Sequence, residues 1–99
     1  LYDPLHPAVL RLIHHTLRSG AKIGIPVSMC GEMAGDPTLT RLLLGLGLTE
    51  FSMPPGAILE VKRVITESDV GKLRKRAARL LSCTKPAAFA KHLAALNQP

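Results

Sequence analysis

The chain is organised around SMCGEMAGDP, residues 28–37. The apolar run at 25–29 leads into it and predicts a buried strand, because it is too short for a helix and glycines bound it. After the loop, Asp36-Pro37 is typical of a cap and the first residue of a helix. In α/β units ligands bind where strands end, at their carboxyl ends. Cys30 therefore lies at a candidate site.

Helical and strand patterns alternate on both sides of this loop, which predicts parallel βαβ units and the α/β class. Two strands alone would make a poor sheet. The predicted elements are a helix from Pro7 ended by Gly24, a strand at 25–29 begun by Pro26, a helix from Pro37 to about Leu46 ended by Gly47, a strand at 50–53, a loop at 54–56, a helix at 58–65, a helix capped by Ser68 or Asp69, and a last helix capped by Thr84. The first residues, 1–5, are expected to end a strand, with Tyr2 covering its edge, and residues 97–99 are expected to fray.

Apolar residues recur at helical spacing in each predicted helix and define the expected core. The set is Leu10, Ile13, Leu17, Ala21, Leu39, Leu42, Leu43, Leu46, Val61, Val64, Ile65, Val70, Leu73, Ala77, Leu80, Leu81, Phe89, Leu93 and Leu96. Three aromatic residues and no Trp are few for a self-sufficient core in 99 residues. The composition suggests a segment that packs against something else.

The chain has no apolar stretch near the roughly 20 residues that a membrane span needs. It also has no charged-then-apolar leader, so we expect a cytoplasmic location. Two cysteines cannot build a disulfide framework, and both are expected to be free thiols.

The formal net charge of +6 comes entirely from residues 56–99, and most of it falls between Lys72 and Arg79. One interpretation is the solvated face of an amphipathic helix. The rival is a basic helical module that binds nucleic acid. The absence of an aromatic platform or helix-turn-helix pattern favours the first, and no nucleic-acid partner is expected.

Three blocks in the same order resemble enzyme I of the bacterial phosphoenolpyruvate-dependent phosphotransferase system, at its C-terminal end. They are LYDPLHP at 1–7, MCGEMAGDP at 29–37 and LGLGLTEFSM at 44–53. The resemblance covers essentially the whole chain. It extends more distantly to pyruvate phosphate dikinase and phosphoenolpyruvate synthase, which share the Cys-Gly loop.

The resemblance implies that residues 1–99 form one C-terminal fragment of a phosphoenolpyruvate-binding (β/α)8 TIM barrel, namely its last two βα units plus terminal helices. A quarter of a barrel has open sheet edges, so the isolated segment is expected to swap, oligomerise or aggregate, and a homo-oligomer is expected.

The resemblance also implies a function. The parent enzyme is a transferase that moves the phosphoryl group of phosphoenolpyruvate to its own histidine and on to a phosphocarrier protein, releasing pyruvate. Cys30 would protonate the enolate, since thiols are mostly protonated at neutral pH. Gly31 would let the loop backbone approach the ligand. The structural alternative for Cys30 is a small buried apolar residue. Glu32 is interpreted as structural and Asp36 as a cap only.

The resemblance places the Mg2+ ligands, the phosphate-binding arginines, the phosphohistidine and the carrier-protein docking surface in parts of the parent outside these residues. His6, His14, His15 and His92 lack the family's phosphohistidine context, and no metal site is expected among them. The chain alone is expected to be inactive. Its remaining role would be an interaction or dimerisation segment, with the loops around Met33 and Met53 contributing. Sugar uptake and the nitrogen-regulatory phosphorelay both stay open as the pathway served.

Overall fold

The computed structural model describes residue 3 and residues 5–98, and helices dominate it. The predicted strand end at 1–5 and the role of Tyr2 lie largely outside the described residues, as does Pro99. The elements are α1 (Pro7–Ile23), β1 (Ser28–Met29), α2 (Glu32–Gly35), α3 (Thr40–Leu46), β2 (Glu50–Phe51), α4 (Pro55–Thr66), α5 (Val70–Ser82) and α6 (Pro86–Leu96).

The two strands pair in parallel, with Ser28 opposite Glu50 and Met29 opposite Phe51. The parallel pairing predicted from the alternating pattern is confirmed. The strand lengths were wrong, because each strand has only two residues where five and four were expected. Ile25, predicted to be buried, is 57% exposed. In the described part of the chain each strand has one neighbour, so little of the backbone can join a ladder.

The end of α1 is set by Gly24, as predicted. Gly24 has φ +76° and the Ile25 N–H donates to the Gly20 carbonyl at 2.8 Å, which is a Schellman-type ending. Gly20 costs helix stability, yet its place is explained by packing. A Cβ there would lie 2.5 Å from Cγ2 of Val27, so only glycine lets the chain fold back along the helix.

Asp36 does not cap the helix in the predicted way. Its carboxylate accepts bonds from the Thr38 backbone N–H at 2.9 Å and from the Thr38 hydroxyl at 2.7 Å. Thr38 lies in the turn at 37–39 and not in the helix, so the bond closes that turn and no N–H of α3 is bound by the carboxylate. As a result α3 begins at Thr40, three residues later than predicted, and the short helix α2 precedes Asp36. The predicted end at Gly47, with φ +108°, is confirmed.

Proline is the first residue of two helices, α4 and α6. The first of these helices begins earlier than predicted and the second begins later. Pro55 is the first residue of α4, so residues 55 and 56 are helical and not part of a loop. Pro86 begins α6 with Lys85 at the cap position, so Thr84 does not cap it. Proline suits the first helical position, because its missing N–H has no helical partner there. Of the two caps proposed for α5, Asp69 is the one observed.

The core is built around α3, which lies against α1, α4, α5 and α6. Its residues 42–46 are all buried, so the helix is covered all round rather than on one stripe. The main cluster consists of Leu10, Leu17, Leu42, Leu43, Leu44, Leu46, Leu48, Leu73, Ala77, Leu80 and Leu96. Of the predicted inward residues, Ala21 and Val70 are exposed instead. No helix within the described residues is long and apolar enough to cross a membrane.

The C-terminal end is held by two arginines, against the expectation that it frays. Arg76 donates from Nη1 to the carbonyls of Ala95 and Gln98 at 3.3 and 2.9 Å, and Arg41 donates to the Asn97 carbonyl at 3.3 Å. Cations at the last carbonyls of a helix also face the negative end of its dipole. Distant residues therefore fix a segment whose own sequence has little structural preference.

Replacing Asp69 by alanine should destabilise the protein by about 1 kcal/mol. The Asp69 carboxylate accepts the Lys72 backbone N–H at 3.2 Å, and alanine leaves that donor unpaired. Urea denaturation measures the change. Asp69→Asn is the matched control, since asparagine caps about as well and should keep nearly all of the stability. An Asn variant as unstable as the Ala variant would contradict the capping role.

Candidate functional site

Cys30 directly follows β1 and is exposed, with Gly31 next to it. Gly31 has φ +82° and ψ −157°, and it stands at the cap position of α2. Residues with a Cβ rarely adopt this backbone conformation, so the turn behind the thiol requires glycine. The space around Gly31 is open, since a Cβ would meet no atom within 4 Å. Cys30 therefore lies at the surface, beside a glycine whose backbone no other side chain covers.

The loop after β1 lies against the loop after β2. The Ser52 N–H donates to the Met29 carbonyl at 2.8 Å, which joins the two carboxyl ends of the strands. Further along, a Cβ on Gly35 would lie 3.4 Å from the Cβ atoms of both Met53 and Ala57. The two loops therefore converge at one edge of the sheet. Parallel strands end on the same side, which is why these loops meet.

The thiols are both free in the structure, as predicted. Within the described residues the Cys30 thiol makes no hydrogen bond, whereas the Cys83 thiol donates to the Arg79 carbonyl at 3.3 Å. In this chain Cys30 is exposed rather than buried. A free thiol at the end of a strand can give a proton to a molecule bound above it or take one back.

The histidines are spread over the chain and do not form a centre. His6 accepts the Ala8 N–H at 3.1 Å on Nδ1 and so caps α1, while His14 and His15 lie further along that helix. Across residues 3 and 5–98, no three His, Cys, Asp or Glu side chains gather closely enough to hold a metal ion. The described residues therefore do not fit a Mg2+ site.

Sequence reasoning overlooked a second group of polar residues, which α1 and α5 bring together. His14 and Arg18 lie one turn apart on α1, and Arg74 faces them from α5 across a depression floored by α3. The spacing of four residues between His14 and Arg18 was a visible signal, because such residues share one helix face. The nearness of Arg74 depends on tertiary packing and carries no signal in the sequence.

Residues 1–70 match the model of a protein family described as PEP-utilising enzyme, PEP-binding domain. The loop geometry and the small parallel sheet agree with this match. PEP is phosphoenolpyruvate. The chain belongs to this family.

Curated relatives narrow the comparison to one kind of family member. The chain is 48% identical over all its 99 residues to phosphoenolpyruvate-protein phosphotransferase of Cupriavidus necator. It is 48% identical over 79 residues, 77% of the chain, to the protein of that name in Buchnera aphidicola. The Staphylococcus carnosus protein of that name is 42% identical over 83 residues, 84% of the chain. The chain spans 17%, 14% and 14% of these relatives. The matches confirm the resemblance to the C-terminal part of enzyme I.

Proposed function

We propose that the chain is the C-terminal part of a phosphoenolpyruvate-dependent protein phosphotransferase and that Cys30 is its proton donor. The observation that carries this proposal is the exposed Cys30-Gly31 pair at the carboxyl end of β1, in a chain 48% identical to a protein of that name. In α/β folds this is the edge where substrates bind.

The proposed chemistry is a proton transfer to carbon. When the phosphoryl group leaves phosphoenolpyruvate for an enzyme histidine, the remaining three-carbon unit is the enolate of pyruvate. The Cys30 S–H gives its proton to the terminal carbon, which becomes the methyl group of pyruvate, and solvent then restores the proton to the thiolate. Gly31 contributes by leaving its backbone uncovered, so that the ligand can approach the loop.

We further propose that residues 1–99 are the last two βα units and terminal helices of a (β/α)8 barrel. The parallel order of β1 and β2 supports this, as do the open edges of a sheet with only two strands in the described chain. The side chains of Leu12, Ile23 and Ile25 are 65%, 68% and 57% exposed near that sheet, as expected of surfaces that other barrel elements cover.

The other catalytic parts belong to the parent enzyme outside these residues. They are the phosphohistidine, the Mg2+ ligands, the phosphate-binding arginines and the surface for the phosphocarrier protein. The chain by itself therefore carries one catalytic group and no turnover is expected of it. A second candidate role, an interaction or dimerisation segment, is favoured by the exposed apolar residues beside the sheet and is compatible with the first.

The test uses the protein as its source cells make it, incubated with phosphoenolpyruvate labelled on phosphorus. We expect label on a protein histidine, its transfer to an added phosphocarrier protein, and one pyruvate released per label. The 99-residue chain alone is the control and should give neither. Pyruvate release by that chain, free of contaminating kinase, would show that the site is complete without further residues. An intact protein that takes no label would refute the phosphotransferase.

A further inference from the structure

A basic depression lies where α1, α3 and α5 meet, well separated along the chain from the Cys30 loop. It has a volume of about 300 Å3, with Gly45, Leu46 and Gly47 as its floor. His14 and Arg18 line it from α1 and Arg74 lines it from α5. An adjoining depression along α1 adds His15 and Lys22. No Asp or Glu lines either one.

The position of Arg74 follows from a close approach of α5 to α3. A Cβ on Gly45 would lie 2.7 Å from the Leu73 carbonyl oxygen and 3.0 Å from the Cβ of Ala77. Glycine at this position lets the two helices pack more closely than an alanine would allow. Arg74 follows Leu73 directly and is carried to the rim of the depression. The arrangement is thus fixed by the core and not by a mobile loop.

The cations of the depression have no side-chain partner in the part of the chain that the structure describes. Within residues 3 and 5–98, the side chains of Arg18, Lys22 and Arg74 make neither an ion pair nor a hydrogen bond. Four other arginines are engaged: Arg11 with the Leu81 and Cys83 carbonyls, Arg41 and Arg76 with the C-terminal carbonyls, and Arg63 with two glutamates. Arg79 and the lysines of the described residues also lack a side-chain partner, but the depression differs in bringing two such arginines to one cavity that no acidic residue lines.

His14 experiences the excess positive charge directly. Its pKa lies below the ordinary value, because partial burial disfavours the charged ring and because Arg18 and then His15 repel it. Arg74 faces it from α5, and α3 contributes no charged group to the lining. An anion between the two arginines would remove the repulsion and favour protonation of His14.

We infer that this depression binds a small dianion of the phosphate class, held by Arg18 and Arg74 with His14 as a third donor. Guanidinium groups suit tetrahedral oxyanions, since each presents two parallel N–H bonds to two oxygens. The volume fits an inorganic phosphate or the phosphoryl end of a phosphomonoester. The inference goes beyond the proposed function, because the depression contains neither Cys30 nor the strand ends.

The test measures sulfate affinity by calorimetry on the protein as its source cells make it. Sulfate is used because it keeps its charge between pH 5.5 and 8, unlike phosphate. The variant R18Q/R74Q should bind sulfate about 100-fold more weakly, at about tenfold for each lost charged hydrogen-bonding group. K75Q/K91Q removes the same charge from exposed positions outside the depression and should bind within about twofold of the wild type. If both double variants lost the same sulfate affinity, the loss would reflect the net charge of the protein alone, and the proposed site would be overturned.

Two further measurements test whether His14 is a hydrogen-bond donor to the anion and which phosphate compound binds. Sulfate should bind more tightly at pH 5.5 than at pH 8, and H14Q should lose most of that dependence while H15Q keeps it. A dependence that survives in H14Q would overturn the role of His14. Methyl phosphate binding as tightly as inorganic phosphate assigns phosphomonoesters to the site, and binding of inorganic phosphate alone assigns the free ion. Phosphoryl transfer from phosphoenolpyruvate should stay unchanged in R18Q/R74Q, so failure here is distinguishable from failure of the phosphotransferase.

Discussion

Replacing Cys30 by alanine should lower the rate of pyruvate formation, the activity proposed for the intact parent protein, roughly 100- to 10,000-fold. Alanine removes the proton donor proposed for the enolate but leaves the backbone of the loop unchanged, since Cys30 makes no side-chain hydrogen bond within the described residues. The carbon atom would then have to take its proton from water, which is not held over it.

Two measurements separate this role from a loss of binding. The first is the rate at which pyruvate methyl protons exchange with deuterated water, followed by NMR, which reports the reverse proton abstraction. The second is the affinity for phosphoenolpyruvate, which should change little. Exchange close to the wild-type rate in Cys30→Ala would overturn the proposal, whatever happened to overall turnover.

Cys83→Ala is the matched control for the thiol. Cys83 is half-buried at the end of α5, away from the carboxyl ends of the strands, and its thiol bonds only to the Arg79 carbonyl. We expect its exchange rate to equal that of the wild type. Cys30→Ser tests the chemistry further, because a hydroxyl is a much weaker acid than a thiol and should restore little of the rate.

Replacing Leu43 by alanine should destabilise the protein by about 2 to 5 kcal/mol. Leu43 is fully buried in α3, the helix that the rest of the core surrounds. Its neighbours come from several elements, so they cannot all close in on the missing methyl groups and a cavity remains. Urea denaturation should show a lower midpoint with a similar slope.

Leu59→Ala is the matched control for the same substitution on a solvated surface. Leu59 lies in α4 and is 82% exposed, so its truncation removes little packing. We expect a change within about 0.5 kcal/mol. A loss for Leu43→Ala no larger than for Leu59→Ala would mean that α3 is not the centre of the core.

Much of the molecule follows from interactions between residues close together in the chain. Gly24 and Gly47 end α1 and α3 because only glycine readily adopts the left-handed conformation required there. Asp69 caps α5 because its side chain reaches a backbone N–H three residues on. The apolar spacing indicated most of the core, and three short blocks at 1–7, 29–37 and 44–53 indicated the family. Each of these depends on a few consecutive residues, which is why reading the sequence recovers them.

Contacts between distant segments determine the remainder. The strands stop after two residues because backbone outside a ladder has no partner, whatever its β propensity. The carbonyls of residues 97 and 98 have partners because Arg41 and Arg76, from other helices, donate to them. The burial of α3 on every side requires helices that are distant in sequence to pack together. The placement of Arg18 and Arg74 around one depression has the same requirement. No periodicity within one segment encodes which surface another segment covers, so the tertiary structure alone establishes these features.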